Sequence, residues 1–138
     1  PLGNLPGRLA AGNAEFYGSV FHIDLDGTTA GDGYDQLVVL DSLLIQTGYT
    51  STALDVHLGF APSIGEEFKI IDDEFNGNMT GAFAGLPQSA TFTANGVQFQ
   101  IDYLGGDAND VVLTVVPEPA ALAMVYLFAG IFACRRSR

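Results

Sequence analysis

The sequence predicts an all-β fold followed by one C-terminal hydrophobic helix. Short runs alternate apolar with polar residues, turn signals separate these runs, and no segment before the tail has a helical period. The chain has 138 residues and a hydrophobic fraction of 48%, enough for one domain with its own core. We expect a linker over residues 1–13, an all-β domain over residues 14–116 and a separate tail over residues 117–138.

Alternation with a period of two residues identifies the strands that have one solvent-facing side. It occurs at residues 21–25, 54–60, 67–70 and 97–103. Residues 37–40 and 111–116 are instead continuously apolar and rich in β-branched side chains, so both faces of these strands should be covered. Asn95-Gly96, between the short run at 91–93 and the strand that starts at Val97, predicts a two-residue hairpin turn.

Two arrangements of these strands fit the sequence. One is the end of a right-handed β-solenoid, in which each coil stacks its strand on the previous one. A repeated pattern favours it, because residues 31–39 and 106–114 share a Gly, two Asp and a following buried strand in the same order. The other is a β-sandwich or jelly roll, which also uses short alternating strands, and the shared pattern is then only a common way of turning into a strand.

The charge distribution excludes two classes of partner. Every acidic residue except Glu118 lies between residues 10 and 117, where Lys69 is the only cation, and the net charge is −11. Such a surface repels nucleic acid and anionic lipid headgroups, and it suits a solvated extracellular protein. Cys134 is the only cysteine, so the chain has no internal disulfide. Because no Met-led apolar leader precedes the body, we expect the chain to be part of a longer precursor.

The tail combines three physical features. Pro117-Glu118-Pro119 is followed by an uncharged apolar run over residues 120–134 and then by Arg135, Arg136 and Arg138. As a transmembrane helix this run would be about 22 Å long, short for a permanent anchor in a hydrocarbon core of about 30 Å. The arginines would stop transfer and keep the C-terminus in the cytoplasm. The alternative is a buried C-terminal helix of the domain core, which the arginines and the lack of polar positions disfavour.

Val116-Pro117-Glu118-Pro119, the short hydrophobic helix and the arginine cluster together resemble a PEP-CTERM sorting signal of Gram-negative bacteria. The resemblance implies export and transient tethering in the inner membrane. It further implies recognition by exosortase, a membrane-embedded cysteine transpeptidase or protease, with Pro117, Glu118 and Pro119 as the recognised residues. Cleavage near this motif would then release the protein to the cell surface or to an extracellular exopolysaccharide matrix.

A second resemblance concerns the body. Residues 34–39, 60–71, 81–87 and 101–113 are together similar to the last segment of autotransporter-like β-solenoid surface proteins. In those proteins such a segment closes the stack of coils. The resemblance is one of turns and alternation, and it implies a structural or adhesive role at the cell surface.

Calcium is the one cofactor for which the sequence contains a pattern. Residues 105–112 nearly match the glycine- and aspartate-rich calcium nonapeptide of RTX proteins, with Ala108 at the position of a second turn glycine. Asp107, Asn109 and Asp110 would supply the ligands, but such sites need stacked repeats. A plain turn that enters a buried strand explains the same residues, so we expect no cofactor.

Other polar groups give no enzyme prediction. His22, Asp24 and Asp26 share one strand face and would chelate a metal if a second strand donated ligands, but a solvated face explains the same spacing, and we predict no metal site. His57 also alternates as an exposed residue. The acidic run 72–74 is typical of a solvated loop rather than of a glycosidase pair, and no nucleophile elbow, phosphate loop or zinc-protease motif occurs.

Taken together, the sequence predicts an exported, non-catalytic protein of the cell surface or the exopolysaccharide matrix, with a structural or adhesive role. A carbohydrate-binding jelly-roll module that recognises exopolysaccharide is the alternative, and exposed aromatic side chains would favour it.

Overall fold

A computed structural model of the chain describes residues 5–75 and 79–118. Strands dominate these residues, with one short 3-10 turn at Gly48–Thr50 and no longer helix, which confirms the predicted all-β class. In chain order the strands are β1 Arg8–Phe16, β2 Val20–Leu25, β3 Gln36–Ile45, β4 Ala53–Leu58, β5 Glu67–Asp73, β6 Thr80–Gly81, β7 Thr91–Ala94, β8 Val97–Gly105 and β9 Asp110–Val115.

The strands form one large mixed sheet and one small parallel sheet. The large sheet has the order β1-β3-β5-β9-β8-β7, with β6 paired to the end of β3, and it does not close on itself. Its first half is parallel, because β1, β3 and β5 all run in the same direction, and its second half is antiparallel. The small sheet consists of β2 and β4 in parallel. Strands of the two sheets therefore alternate along the first half of the chain.

A single core joins the two sheets. Ile23, Leu25 and Val56 of the small sheet belong to the same buried cluster as the inward residues of β3, β5, β8 and β9. Phe68 lies in this cluster, fully buried, and its ring packs edge-on against Phe99 at a centroid distance of 6.3 Å. Aromatic pairs with this geometry contribute about 0.5–1.5 kcal/mol beyond their buried area. The core therefore fixes the position of β2 and β4 relative to the large sheet.

The N-terminal boundary differs from the prediction. Residues 8–13, expected to be part of a linker, form most of β1, in which Arg8 pairs with Gln36 in parallel. Most side chains of β1 are exposed because it is an edge strand, and a bulge between Ala11 and Asn13 interrupts its register. Neither feature produces the alternation from which a strand is predicted.

The other predicted strands are present. The hairpin between β7 and β8 turns at Asn95 and Gly96, whose φ angles of 49° and 80° both lie in the left-handed region that a two-residue turn of this kind requires. The apolar run at 37–39 is buried on both faces as expected, whereas Leu40 is exposed. No helix within residues 5–75 and 79–118 is long and apolar enough to cross a membrane. The helix predicted over 120–134 lies outside the described residues.

Candidate functional site

The chain leaves the sheet at the start of the predicted sorting motif. Val116, directly after β9, donates its backbone N–H to the carbonyl of Gln98 at 2.9 Å. Pro117 has no N–H with which to continue this ladder. Pro117 and Glu118 are both exposed. The first two residues of the motif are therefore accessible at the edge of the folded body, while Pro119, Arg135, Arg136 and Arg138 lie outside the described residues.

The loop with the calcium-like pattern is held mainly by internal contacts. Asp110 is buried, its Oδ1 accepts a hydrogen bond from the backbone N–H of Asp73 at 2.9 Å, and its Oδ2 lies 3.1 Å from Nζ of Lys69. The side-chain amide of Asn109 donates to the carbonyl of Phe75. Asp107 is exposed. Two of the three predicted ligands thus connect this loop to the end of β5, and Lys69 balances the charge of Asp110.

The acidic run 72–74, which begins within β5, is not the solvated loop that the sequence predicts. Asp73 is buried, and its Oδ1 accepts a hydrogen bond from the backbone N–H of Phe75 at 3.1 Å. Burial raises the pKa of Asp73, and the negative charges of Asp110 and two other carboxylates raise it further. Burial alone would lower the pKa of Lys69, but Asp110 and Asp72 together hold it above its ordinary value. The prediction of three solvated acids is therefore wrong at Asp73, because β5 continues through it.

A cluster of histidine and aspartate side chains lies on the outer face of the small sheet. The parallel register places His22 opposite Asp55 and Asp24 opposite His57. Nδ1 of His22 is 2.9 Å from Oδ2 of Asp55, and its Nε2 is 3.0 Å from Oδ1 of Asp24. Nδ1 of His57 is 3.4 Å from the same oxygen of Asp24. These residues, with Asp26 beside them, bring two imidazoles and three carboxylates together.

The charges in this cluster are unevenly exposed. The hydrogen bond to Asp55, supported by Asp24, raises the pKa of His22 despite partial burial of the ring. The side chain of Asp24 is only 8% exposed, whereas that of His57 is 60% exposed. The expectation of a fully solvated face is therefore correct for His22 and His57 and wrong for Asp24. A buried carboxylate needs hydrogen-bond donors or a cation, and the imidazole rings of His22 and His57 are both within reach of Asp24.

The contact of His57 and Asp55 with β2 was not predicted from the sequence. The signal was present as two complementary triplets, His22-Ile23-Asp24 and Asp55-Val56-His57. In a parallel pair at equal register, a His-x-Asp triplet beside an Asp-x-His triplet produces two cross-strand His–Asp pairs. The pairing of β2 with β4, separated by all of β3, could not be read from the triplets alone.

Comparisons with protein-family models, with curated proteins and with solved structures found no match to this chain. The histidine and aspartate groups described above are capable of proton exchange and cation binding, and Pro117 and Glu118 are exposed. Within residues 5–75 and 79–118, no three His, Cys, Asp or Glu side chains are already arranged to hold a metal ion.

Proposed function

We propose that this chain is an exported, non-catalytic protein of the cell surface or the exopolysaccharide matrix, with a structural or adhesive role. Its C-terminal tail would be recognised in the inner membrane by exosortase and removed near Pro117, Glu118 and Pro119. The all-β body is then the part of the protein that is displayed.

The observation that carries this proposal is the position of the motif relative to the body. A protease or transpeptidase needs an accessible, extended segment, and the chain becomes exposed at Pro117 and Glu118 immediately after the last strand. Because β9 is central in the large sheet, cleavage after it would leave the core intact. The motif in the sequence thus begins directly after the last strand of the described residues.

The strand pairing supports a β-solenoid as the displayed architecture. Arg8 of β1 pairs with Gln36 of β3, Val20 of β2 with Ala53 of β4, and Leu37 of β3 with Ile71 of β5, all in parallel. Successive strands of one sheet are thus separated by roughly one coil of chain, as stacked repeats require. We infer that β1 to β5 are right-handed coils and that the antiparallel β8 and β9 close the stack. A jelly roll is built from antiparallel strands, so these pairs disfavour it.

A substitution in the motif tests the sorting proposal. In a host with exosortase, the full chain with Pro117, Glu118 and Pro119 all replaced by alanine should keep its full mass and stay in the inner membrane. The wild type and the matched control Pro87→Ala, which changes an exposed proline in a loop, should lose the tail and reach the cell surface. Equal processing of all three proteins would refute the proposed role of the motif.

One observation favours the alternative function, carbohydrate binding. Tyr17 and Tyr49 are both exposed. The residues that directly follow them are joined by a hydrogen bond of 2.7 Å from the Gly18 N–H to the Thr50 carbonyl. Exposed tyrosines, which combine an apolar ring with a polar hydroxyl, are suited to contact sugars. If the surface around Tyr17 and Tyr49 binds exopolysaccharide, Tyr49→Ala should reduce retention of the protein on immobilised exopolysaccharide. The control Leu104→Ala, which removes an exposed aliphatic side chain elsewhere, should not.

A further inference from the structure

The geometry of the small sheet points to a binding site for a divalent transition-metal ion of the zinc class, with His22, Asp24 and His57 as its ligands. We propose Asp26 as an additional oxygen donor at the rim of this site and Asp55 as the carboxylate that orients His22. The inference does not depend on the sorting function proposed above.

Two of the three distances among the proposed ligand atoms are compatible with such a site. Oδ1 of Asp24 is 3.0 Å from Nε2 of His22 and 3.4 Å from Nδ1 of His57. Zinc binds imidazole nitrogen and carboxylate oxygen at about 2.0–2.2 Å in a tetrahedron, in which neighbouring ligand atoms are about 3.3 Å apart. The distances from Asp24 to His22 and from Asp24 to His57 are therefore close to those between neighbouring ligand atoms of a zinc ion.

The second nitrogen of His22 provides an independent observation. Nδ1 of this ring is 2.9 Å from Oδ2 of Asp55, on the neighbouring strand. In metal sites a ligating histidine almost always uses its other nitrogen to donate to a carboxylate or a carbonyl, which fixes the tautomer and the ring orientation. This contact directs Nε2 of His22 towards Asp24 as a ligand.

The surface around these groups forms a depression, here called the cup, that could hold a metal ion. A depression of about 170 Å³ is lined by His22, Asp24, Asp26 and His57, all of which carry ligand-type side chains. The carboxylate of Asp26 lies directly over Gly59, where a Cβ would overlap it. The missing side chain at Gly59 thus gives Asp26 room beside the cluster.

The cup must close slightly around an ion. The three ligands do not yet surround one point. The imidazole of His57 is 60% exposed, so its rotation towards Asp24 disturbs little packing. Because metal ligands must be deprotonated, binding of a cation here would release any proton held between these groups. Two imidazoles in the set favour zinc, nickel or copper over calcium and magnesium, which prefer oxygen ligands.

Titration of the full chain with zinc in mild detergent tests the inference. Excess Mg²⁺ is present to occupy surface carboxylates that have no histidine beside them. The chain has only two histidines, His22 and His57, so each gives its own imidazole resonances in ¹H–¹⁵N spectra. We expect one equivalent of Zn²⁺ to shift both sets. His57→Ala should weaken zinc binding at least about tenfold. Asp55→Asn should weaken it roughly tenfold, as is typical when a carboxylate that orients a metal-bound histidine is replaced.

The matched control is Asp41→Asn, which removes an exposed carboxylate from β3 and should leave zinc affinity unchanged. Thermal unfolding of metal-free His57→Ala checks that the variant folds, as expected for an exposed side chain. Zinc binding that shifts neither imidazole, or that is as strong in His57→Ala as in the wild type, would overturn the inference. No zinc binding by the folded wild type would also overturn it.

Discussion

Replacing Tyr103 by phenylalanine removes one hydroxyl that links β8 to the loop before β7. Tyr103 is buried, its hydroxyl donates to the carbonyl of Leu86 at 2.6 Å, and the backbone N–H of Phe83 donates to it at 3.0 Å. The ring itself packs against the fully buried Phe83, with the centroids 6.4 Å apart. Phenylalanine keeps this packing, so the substitution isolates the two hydrogen bonds.

The expected loss of stability follows from these two contacts. Without the hydroxyl, the Phe83 N–H and the Leu86 carbonyl each lose a partner, and an unsatisfied buried polar group costs about 1–3 kcal/mol. Allowing for some relaxation of the loop, the free energy of unfolding of Tyr103→Phe should be lower by about 2–3 kcal/mol. With a denaturant slope of about 2 kcal/mol per molar urea, the middle of the usual range, the unfolding midpoint should fall by about 1 M or slightly more.

Equilibrium unfolding in urea, followed by circular dichroism of the full chain in mild detergent, measures this change. The matched control is Tyr49→Phe, which removes the hydroxyl of a fully exposed tyrosine and should leave the midpoint unchanged. If the two variants have equal midpoints, the Tyr103 hydroxyl does not hold the loop, and the packing described for this end of the core is incorrect.

Three further predictions concern ionisation and backbone geometry. The buried Asp73, whose pKa is raised, destabilises the fold once it ionises, so Asp73→Asn should increase the thermal unfolding midpoint at pH 7 more than at pH 4. Burial raises the pKa of Tyr103 to about 12 from an ordinary 10.0. The protonated hydroxyl therefore contributes fully to stability below pH 10, and this contribution is lost as the pH rises through about 12. Tyrosine absorbance and the free energy of unfolding, both measured against pH, test this prediction. Gly81 has a φ of 95°, and a Cβ there would overlap the carbonyl oxygen of Ile45, whereas Gly96 has a φ of 80° and open space around it. In urea titrations Gly81→Ala should therefore lower the free energy of unfolding clearly more than Gly96→Ala does. For Gly96→Ala the expected loss is about 1 kcal/mol, from backbone strain alone.

Local sequence patterns predict the class of fold and most strands because burial follows alternation directly. The strand at Val97 and the Asn95-Gly96 turn were predictable, since a short hairpin needs only neighbouring residues. β1 was not, because an exposed and bulged edge strand buries too few side chains to leave a pattern. The same limit applies to Asp73, whose burial depends on β9 packing beside β5.

The cluster on the small sheet shows how far a site can be predicted from sequence. His22 and Asp24 were recognisable as a strand face with ligand-type residues. Their partners His57 and Asp55 became visible only with the parallel pairing of β2 and β4, since strands so far apart in the chain are not matched by local propensity. The proposed sorting motif is different, because a linear signal of this kind would be recognisable from consecutive residues, with no strand pairing needed.

The most direct test of the proposed function is the intact mass and cellular fraction of the native protein from hosts with and without exosortase. The proposal predicts that, with exosortase, the mature protein lacks the residues after the Pro117-Glu118-Pro119 motif and leaves the inner membrane. Without exosortase, the full-length chain should stay in the inner membrane. A full-length chain in the inner membrane of both hosts would contradict the proposal, and residues 120–134 would then be an ordinary anchor.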